Sequence, residues 1–382
     1  MSAQRWDVFC RVVDNYGDAG VCWRLARQLA AEHGLAVTLW IDERASLARI
    51  VPGLCIDCDD QAIEGVRVRH WPDGAAGVAL PAAVIEGFGC GLPDAFVQAM
   101  ADAARPPVWI NLEYLSAEPW VESAHGLPSP QPRLPLTRHF YFPGFTPGTG
   151  GLLREHDLVA ERERAARHGA TRGALLRTFG VKPPREGTVV VSLFCYPNLA
   201  LPTLLDGWIE GEAPVVCLVP EGVAGAALDA WTGGGIPPVG RPLEHGPLTV
   251  TTIPFVDQDA YDRILWRCDL NFVRGEDSFV RAQWAARPFV WHIYPQADDA
   301  HRVKLDEFLA RYRGGLPSPA FAALDPFWHA WNEGDGPGVA AAWPAFRAAL
   351  PALATHATGW AERLAALPDL TTGLVRFVRD RL

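Results

Sequence analysis

A chain of 382 residues exceeds the size at which one hydrophobic core keeps growing, so length alone predicts two domains. Hydrophobic residues make up 49% and charged residues 20%, a globular balance that excludes a disordered or fibrous chain. The formal net charge of -10 excludes a general nucleic-acid binder, which needs a basic face to displace counterions, whereas a basic loop of a protein is readily accommodated. The tryptophans, 15 in number, are expected mainly in the core, with a few left for stacking in clefts. The cysteines (Cys10, Cys22, Cys55, Cys58, Cys90, Cys195, Cys217, Cys268) lie mostly in apolar runs, where a thiol acts as a small hydrophobe, and fit a reducing compartment. Cys55 and Cys58 form a C-x-x-C without a second pair at zinc-finger spacing, so they read as structural. No charged leader opens the chain and no apolar run of about eighteen residues occurs, which predicts a cytoplasmic protein without a membrane partner.

In chain order, Trp6 to Val13, Leu35 to Ile41, Ala82 to Phe88 and Val108 to Ile110 read as buried strands. Val21 to Ala31 reads as the clearest helix, with Val21, Leu25 and Leu29 on one stripe. Such alternation predicts a doubly wound α/β domain over residues 1–150. From Asn111 to Gly151 the pattern lapses into a long segment rich in Pro and Gly. A charged helix from about Glu155 to Thr178 then fills a connecting segment, 151–184, ended by Lys182-Pro183-Pro184. A second α/β domain follows over 185–360. Its strands are Thr188 to Cys195, Val215 to Val219, Leu248 to Ile253, Leu270 to Val273 and Phe289 to Trp291, with helices centred near Leu205, Ala227, Arg263 and Gln283. The tail from Lys304 is mostly helical, broken by Pro317, Pro337, Pro344, Pro351 and Pro368, with a terminal helix in 361–382. Two doubly wound domains in series predict a ligand cleft at the carboxyl ends of their strands.

Two constellations carry chemistry. Asp14-Asn15-Tyr16-Gly17-Asp18-Ala19-Gly20 lies between the first strand and the first helix, where glycines let the backbone approach a ligand. It is not the dinucleotide fingerprint, and its two aspartates would repel a pyrophosphate, so a cationic or proton-donating partner suits it better. The alternative is that Asp14 or Asp18 caps the helix. Arg274-Gly275-Glu276-Asp277-Ser278 follows the strand at Leu270 to Val273, with a helix starting near Glu276 or Asp277. Amides around Asp277 and Ser278, with Arg274, can hold a phosphate, and Glu276 can accept from sugar hydroxyls; the alternative is an acidic helix start with its cap. Phe194, Tyr196, Phe255, Gln258 and Tyr294 fall at predicted strand ends of the second domain, where a base could stack and be hydrogen-bonded. Nucleophile-elbow, Walker A and zinc-helix motifs are absent, as is the D-x-D triplet of metal-dependent sugar transferases.

The strings D-N-Y-G-D-x-G-V-C-W-R-L-A-R-Q-L at Asp14 to Leu29 and R-G-E-D-S-F-V-R-A-Q-W-A at Arg274 to Ala285 resemble the elongation factor P arginine rhamnosyltransferases, the EarP family. S-L-F-C-Y at Ser192 to Tyr196 and I-P-F-V-x-Q at Ile253 to Gln258 add to the resemblance, which spans almost the whole chain. It implies an α/β GT-B fold, two Rossmann-like doubly wound domains facing across a cleft. The activity implied is inverting, metal-independent transfer of L-rhamnose from dTDP-β-L-rhamnose to an arginine of elongation factor P, with no cofactor, metal, nucleic acid or membrane. By motif, Asp18 looks like the general base, Asp14 its partner and Glu276 the second catalytic carboxylate. Arg274, Asp277 and Ser278 look like diphosphate contacts, Phe194, Tyr196, Phe255 and Gln258 resemble the thymidine-binding residues, and Tyr294 looks like a further donor contact. Asn15, Tyr16 and Gly17 of the first turn look like binding residues beside the aspartates. The rival readings are a GT-B transferase acting on a glycan or small metabolite, and a non-catalytic nucleotide-sensing or scaffold protein.

Overall fold

A computed structural model describes residues 3–382 except Asn15, 72–78, 169–170, 234, 236 and 297–298. It forms two units, Met1–His156 with Leu364–Leu382, and Asp157–Arg363.

The first unit opens with β1 (Arg5–Cys10), α1 (Gly17–His33), β2 (Ala36–Ile41), α2 (Arg44–Ile50), β3 (Asp60–Ile63), β4 (Val66–His70) and β5 (Ala83–Gly87). It continues with α3 (Asp94–Asp102), β6 (Val108–Leu112), α4 (Trp120–Ala124), β7 (Pro128–Pro130) and β8 (Thr137–Tyr141). The sheet order is β3-β4-β2-β1-β5-β6-β8-β7, parallel except where β3 and β7 pair antiparallel at the edges. The central strands are mostly apolar and, apart from the first residues of β1 and β2, buried, as a parallel sheet covered on both faces requires. One side of the core packs Phe9, Trp40, Phe96 and Trp109, with Asp7 accepting from Trp40 Nε1 at 3.1 Å.

Periodicity missed the β3–β4 hairpin because its strands are half-exposed and charged. Glu64 (φ 46°) and Gly65 (φ 79°) make the turn, both in the left-handed region that the twist of a two-residue hairpin favours. The stretch from Asn111 to Gly151, expected to lack structure, in fact contains α4, β7 and β8, with β8 paired parallel to β6. These elements are short and proline-flanked, so they depend on the sheet edge rather than on local pattern.

In the second unit α5 (Leu158–His168) and α6 (Arg172–Thr178) replace the single helix expected from Glu155 to Thr178. Thr171 is extended and caps α6 by accepting from Ala174 N, so a helix begins anew there. Then come β9 (Val189–Leu193), α7 (Leu201–Glu210), β10 (Val215–Pro220), α8 (Gly225–Thr232), β11 (Leu243–His245), β12 (Leu248–Ile253), α9 (Gln258–Leu265), β13 (Leu270–Arg274), α10 (Asp277–Trp284) and β14 (Phe289–His292). The sheet order is β11-β12-β10-β9-β13-β14, again parallel apart from the edge strand β11. Helices α11 (Ala300–Tyr312), α12 (Ser318–Glu333) and α13 (Gly336–Ala365) follow, and α14 (Leu370–Arg379) closes the chain.

Pro344 and Pro351, expected to break the helical tail, lie inside α13. A proline inside a helix costs about 3 kcal/mol. Burying a large apolar side chain contributes about 1.5–3 kcal/mol, and α13 buries Trp343, Phe346, Leu353 and Trp360, so packing outweighs both breaks. Helix α14 returns to the first unit: Leu370 N donates to Leu152 O at 2.9 Å, and Gln28 Nε2 donates to Asp369 Oδ1 at 3.3 Å. Residues 364–382 thus complete a fold begun more than two hundred residues earlier. Cys55 and Cys58 are joined by a disulfide in the loop between α2 and β3, and the other six cysteines are free and buried. Among the described residues, no helix is long and apolar enough to cross a membrane.

The guanidinium of Arg281 on α10 forms a fork with Asp262 on α9, Nε lying 3.1 Å from both oxygens and Nη2 2.6 Å from Oδ2, with both side chains almost fully buried. Removing one partner strands the other charge. Asp262→Ala is therefore expected to lower the unfolding free energy of the second unit by about 3–5 kcal/mol in denaturant titrations, while Lys182→Ala, whose ion pair is exposed, stays within about 1 kcal/mol of wild type.

Candidate active site

In the first sheet the chain leaves β1 toward β2 and β4, then returns on the other side at β5 and β6. The carboxyl end of β1 is thus the topological switch point, where α/β sheets bind ligands. Helix α1 starts there at Gly17, four residues ahead of its apolar stripe. Asp18 consequently sits in the opening turn, 2% exposed. Its Oδ2 accepts from the amides of Val13 and Asp14, both at 2.8 Å, and its Oδ1 accepts from the Tyr114 hydroxyl at 3.2 Å. These bonds, with the positive end of the helix dipole, compensate a carboxylate taken out of water. The N-cap residue is Tyr16 rather than either aspartate, and its side chain makes no capping hydrogen bond. A Cβ at Gly17 would lie 2.7 Å from Asp14 Oδ2, so any side chain there would displace that carboxylate. Asn15 lies outside the described residues.

Other carboxyl ends of the same sheet surround this turn. Asn111, closing β6, accepts from Gly89 N at 3.0 Å and donates to Glu113 Oε1 at 2.5 Å. The Tyr114 ring stacks on Phe88 at 4.3 Å. A hydrogen bond with Cys22 and burial push the Cys10 thiol well above its usual range, so it is no thiolate nucleophile.

The second unit repeats the geometry with opposite charge. Its switch point lies between β9 and β13. Arg274, at the end of β13, sets its guanidinium 4.6 Å from the ring centres of both Phe194 and Tyr196, which follow β9. Both rings lie within cation–π range of the guanidinium, whose Nη1 also donates to Cys195 O at 3.4 Å. Helix α10 begins at Asp277 with Glu276 as its N-cap residue. Ser278 spends its hydroxyl on the strand end, accepting from Arg274 N at 3.0 Å and donating to Arg274 O at 2.5 Å, which ties the helix start to the arginine. Gln258, opening α9, donates to Asp277 Oδ2 at 2.9 Å, and Phe255 is half-buried in the loop before it. Tyr294 is 42% exposed and meets Tyr196 edge-on at 5.5 Å.

The residues expected at this site thus meet in two groups. Asp14, Tyr16, Gly17 and Asp18 gather in the first unit; Phe194, Tyr196, Gln258, Arg274, Asp277, Ser278 and Tyr294 are linked in the second, with Glu276 and Phe255 on adjoining loops. Sequence reasoning missed Tyr114 and His292, both at carboxyl ends of strands. Among the described residues no group of three or more His, Cys, Asp or Glu side chains could hold a metal ion.

The family model described as elongation factor P (EF-P) rhamnosyltransferase EarP matches residues 6–379. Proteins named protein-arginine rhamnosyltransferase from Pseudomonas putida and Pseudomonas aeruginosa are 51% and 48% identical, each match covering 99% of both chains. A solved structure described as the structural basis for EarP-mediated arginine glycosylation of translation elongation factor EF-P is 40% identical, covers 99% of both chains and superposes with a TM-score of 0.70. The apo structure of OtsA, 11% identical with a TM-score of 0.52, is alike in fold alone. The fold is GT-B, with two Rossmann-like units.

His292 ends β14, 4% exposed, edge-on to Tyr196 at 5.3 Å. Burial, with Arg274 nearby, pushes its pKa down to about 3. The unfolded chain therefore binds a proton that the folded chain refuses between about pH 6.5 and 3, and stability is lost as pH falls through that window. Replacing His292 by Phe is expected to flatten the pH dependence of unfolding between pH 6.5 and 5 by up to about 1.4 kcal/mol per pH unit, measured by denaturant titration beside wild type.

Proposed function

The chain belongs to the EarP family of elongation factor P rhamnosyltransferases, and from that premise we propose that it transfers L-rhamnose from dTDP-β-L-rhamnose to an arginine of elongation factor P, inverting the anomeric centre. The observation that carries the reading is Asp18, an almost fully buried carboxylate anchored by two amides at the switch point of the first sheet. Such a group suits a cationic acceptor and repels a diphosphate.

A guanidinium has a pKa of about 13 and a delocalised lone pair, so it attacks poorly unless its charge is steered. In the proposed reaction Asp14 and Glu276 orient the guanidinium by carboxylate hydrogen bonds. One nitrogen attacks the anomeric carbon as the bond from that carbon to the diphosphate oxygen breaks. The departing dTDP keeps the bonding pair, and the nitrogen's proton passes to Asp18. A single displacement turns β into α. The leaving diphosphate is stabilised without metal by Arg274, fixed over its two rings, and by the first-turn amides of α10 at Asp277 and Ser278. We assign Phe194, Tyr196, Phe255 and Gln258 to the thymidine, Tyr294 to a further donor contact, and Asn15, Tyr16 and Gly17 to binding at the first turn. The location we assign is the cytoplasm, that of a translation factor.

Intact-mass analysis of elongation factor P after incubation with purified sugar nucleotides tests the assignment: a gain of one deoxyhexose with dTDP-rhamnose is expected. No gain, with turnover on a small acceptor instead, would favour the glycan or metabolite reading. Asp18→Asn is expected to keep donor affinity by calorimetry while kcat falls by about 10²–10⁴. A metal chelator is expected to leave the rate unchanged, and a strong loss would sink the metal-free mechanism.

A further inference from the structure

We propose that Tyr114, braced by Phe88, is a positioning residue that aims the Asp18 carboxylate; this rests on the reading of Asp18 as general base. The two oxygens of Asp18 are held differently. Oδ2 accepts from two backbone amides, which no side-chain change can tune. Oδ1 accepts from the Tyr114 hydroxyl, a side chain from the far side of the switch point. With an oxygen fixed at each end, the carboxylate cannot turn about its Cβ–Cγ bond. A base must present its lone pair within hydrogen-bond reach of the proton it takes, so an orientation set in advance favours transfer.

The tyrosine is itself held. Strands β5 and β6 are parallel neighbours with Gly87 opposite Leu112, so the residues just beyond them meet. Phe88 stacks on Tyr114 with ring centres 4.3 Å apart and planes 13° from parallel. To do so Phe88 takes φ 57°, a left-handed conformation unusual for an aromatic residue, and its amide donates to Leu112 O at 2.7 Å. Gly87 allows the turn, because a Cβ there would lie 2.9 Å from Phe9 O and 3.0 Å from Cys22 Sγ. Strained backbone of this kind persists where surrounding contacts over-determine it, and here it ends in one hydroxyl aimed at one carboxylate oxygen.

The test is a double-mutant cycle on the full-length enzyme with dTDP-rhamnose and elongation factor P. Tyr114→Phe keeps the stack and deletes the hydroxyl. It is expected to lower kcat about ten- to hundredfold, the range for a lost hydrogen bond to a charged group, with the donor KM and the calorimetric Kd for dTDP unchanged. Combined with Asp18→Asn, it is expected to slow the enzyme no further than Asp18→Asn alone. Phe88→Leu keeps the hydroxyl but loosens the ring, and a smaller, few-fold fall in kcat is expected; it serves as the second test should Tyr114→Phe fold poorly. An inactive Asp18→Asn beside a Tyr114→Phe of wild-type kcat would overturn the positioning role alone. A Tyr114 loss fully additive with that of Asp18 would overturn it as well. An Asp18→Asn enzyme of wild-type kcat would remove the general-base reading, and the positioning role with it.

Discussion

Two amide hydrogen bonds from Val13 and Asp14 to one oxygen hold the buried Asp18 carboxylate of the first unit in place. A charge almost wholly removed from water is tolerated only when the groups around it replace the lost solvent. That condition explains local features otherwise unrelated. Helix α1 starts at Gly17, so Asp18 falls in its opening turn, a side chain at Gly17 would displace the Asp14 carboxylate, and Tyr114 reaches across to the second oxygen.

The second unit uses the same architectural position for the opposite charge. A strand end at a switch point again feeds a helix, but the group presented is a guanidinium clasped by two rings. Doubly wound folds provide this position through topology alone, and the side chains of a few loop residues then choose the ligand. In the reaction we propose, the sign of the charge separates the turn of the cationic acceptor from that of the diphosphate.

The long string from Arg274 to Ala285 combines two roles. Arg274 and the helix start after it form the turn to which we assign the diphosphate. Arg281 is bound to Asp262, Gln283 accepts from Trp360 Nε1 at 2.8 Å, and Trp284 O accepts from Arg162 Nη1 at 2.8 Å, so its later half locks α10 to α9, α13 and α5. A motif read from sequence as a site is thus partly the scaffold that aims the site. Ser278 is intermediate, since its hydroxyl braces Arg274 while its amide belongs to the helix opening.

What the sequence determined by itself was the part set by local physics. Buried parallel strands are nearly continuous apolar runs, so β1, β2, β5, β6, β9, β10, β12, β13 and β14 were legible, and with them the two turns carrying Asp18 and Arg274. The hairpin β3–β4, the strands β7 and β8, the break at Thr171 and the continuous α13 were not, because edge pairing and long-range packing override propensity there. Only the tertiary structure decided that Asp18 is buried and held rather than a helix cap, that Tyr114 and Phe88 stand behind it, and that α14 returns to the first unit. The amide bonds to Asp18 are local, but the Tyr114 and Phe88 contacts and the return of α14 join residues from about twenty-five to more than two hundred positions apart, a separation that no period of 2 or 3.6 residues can encode.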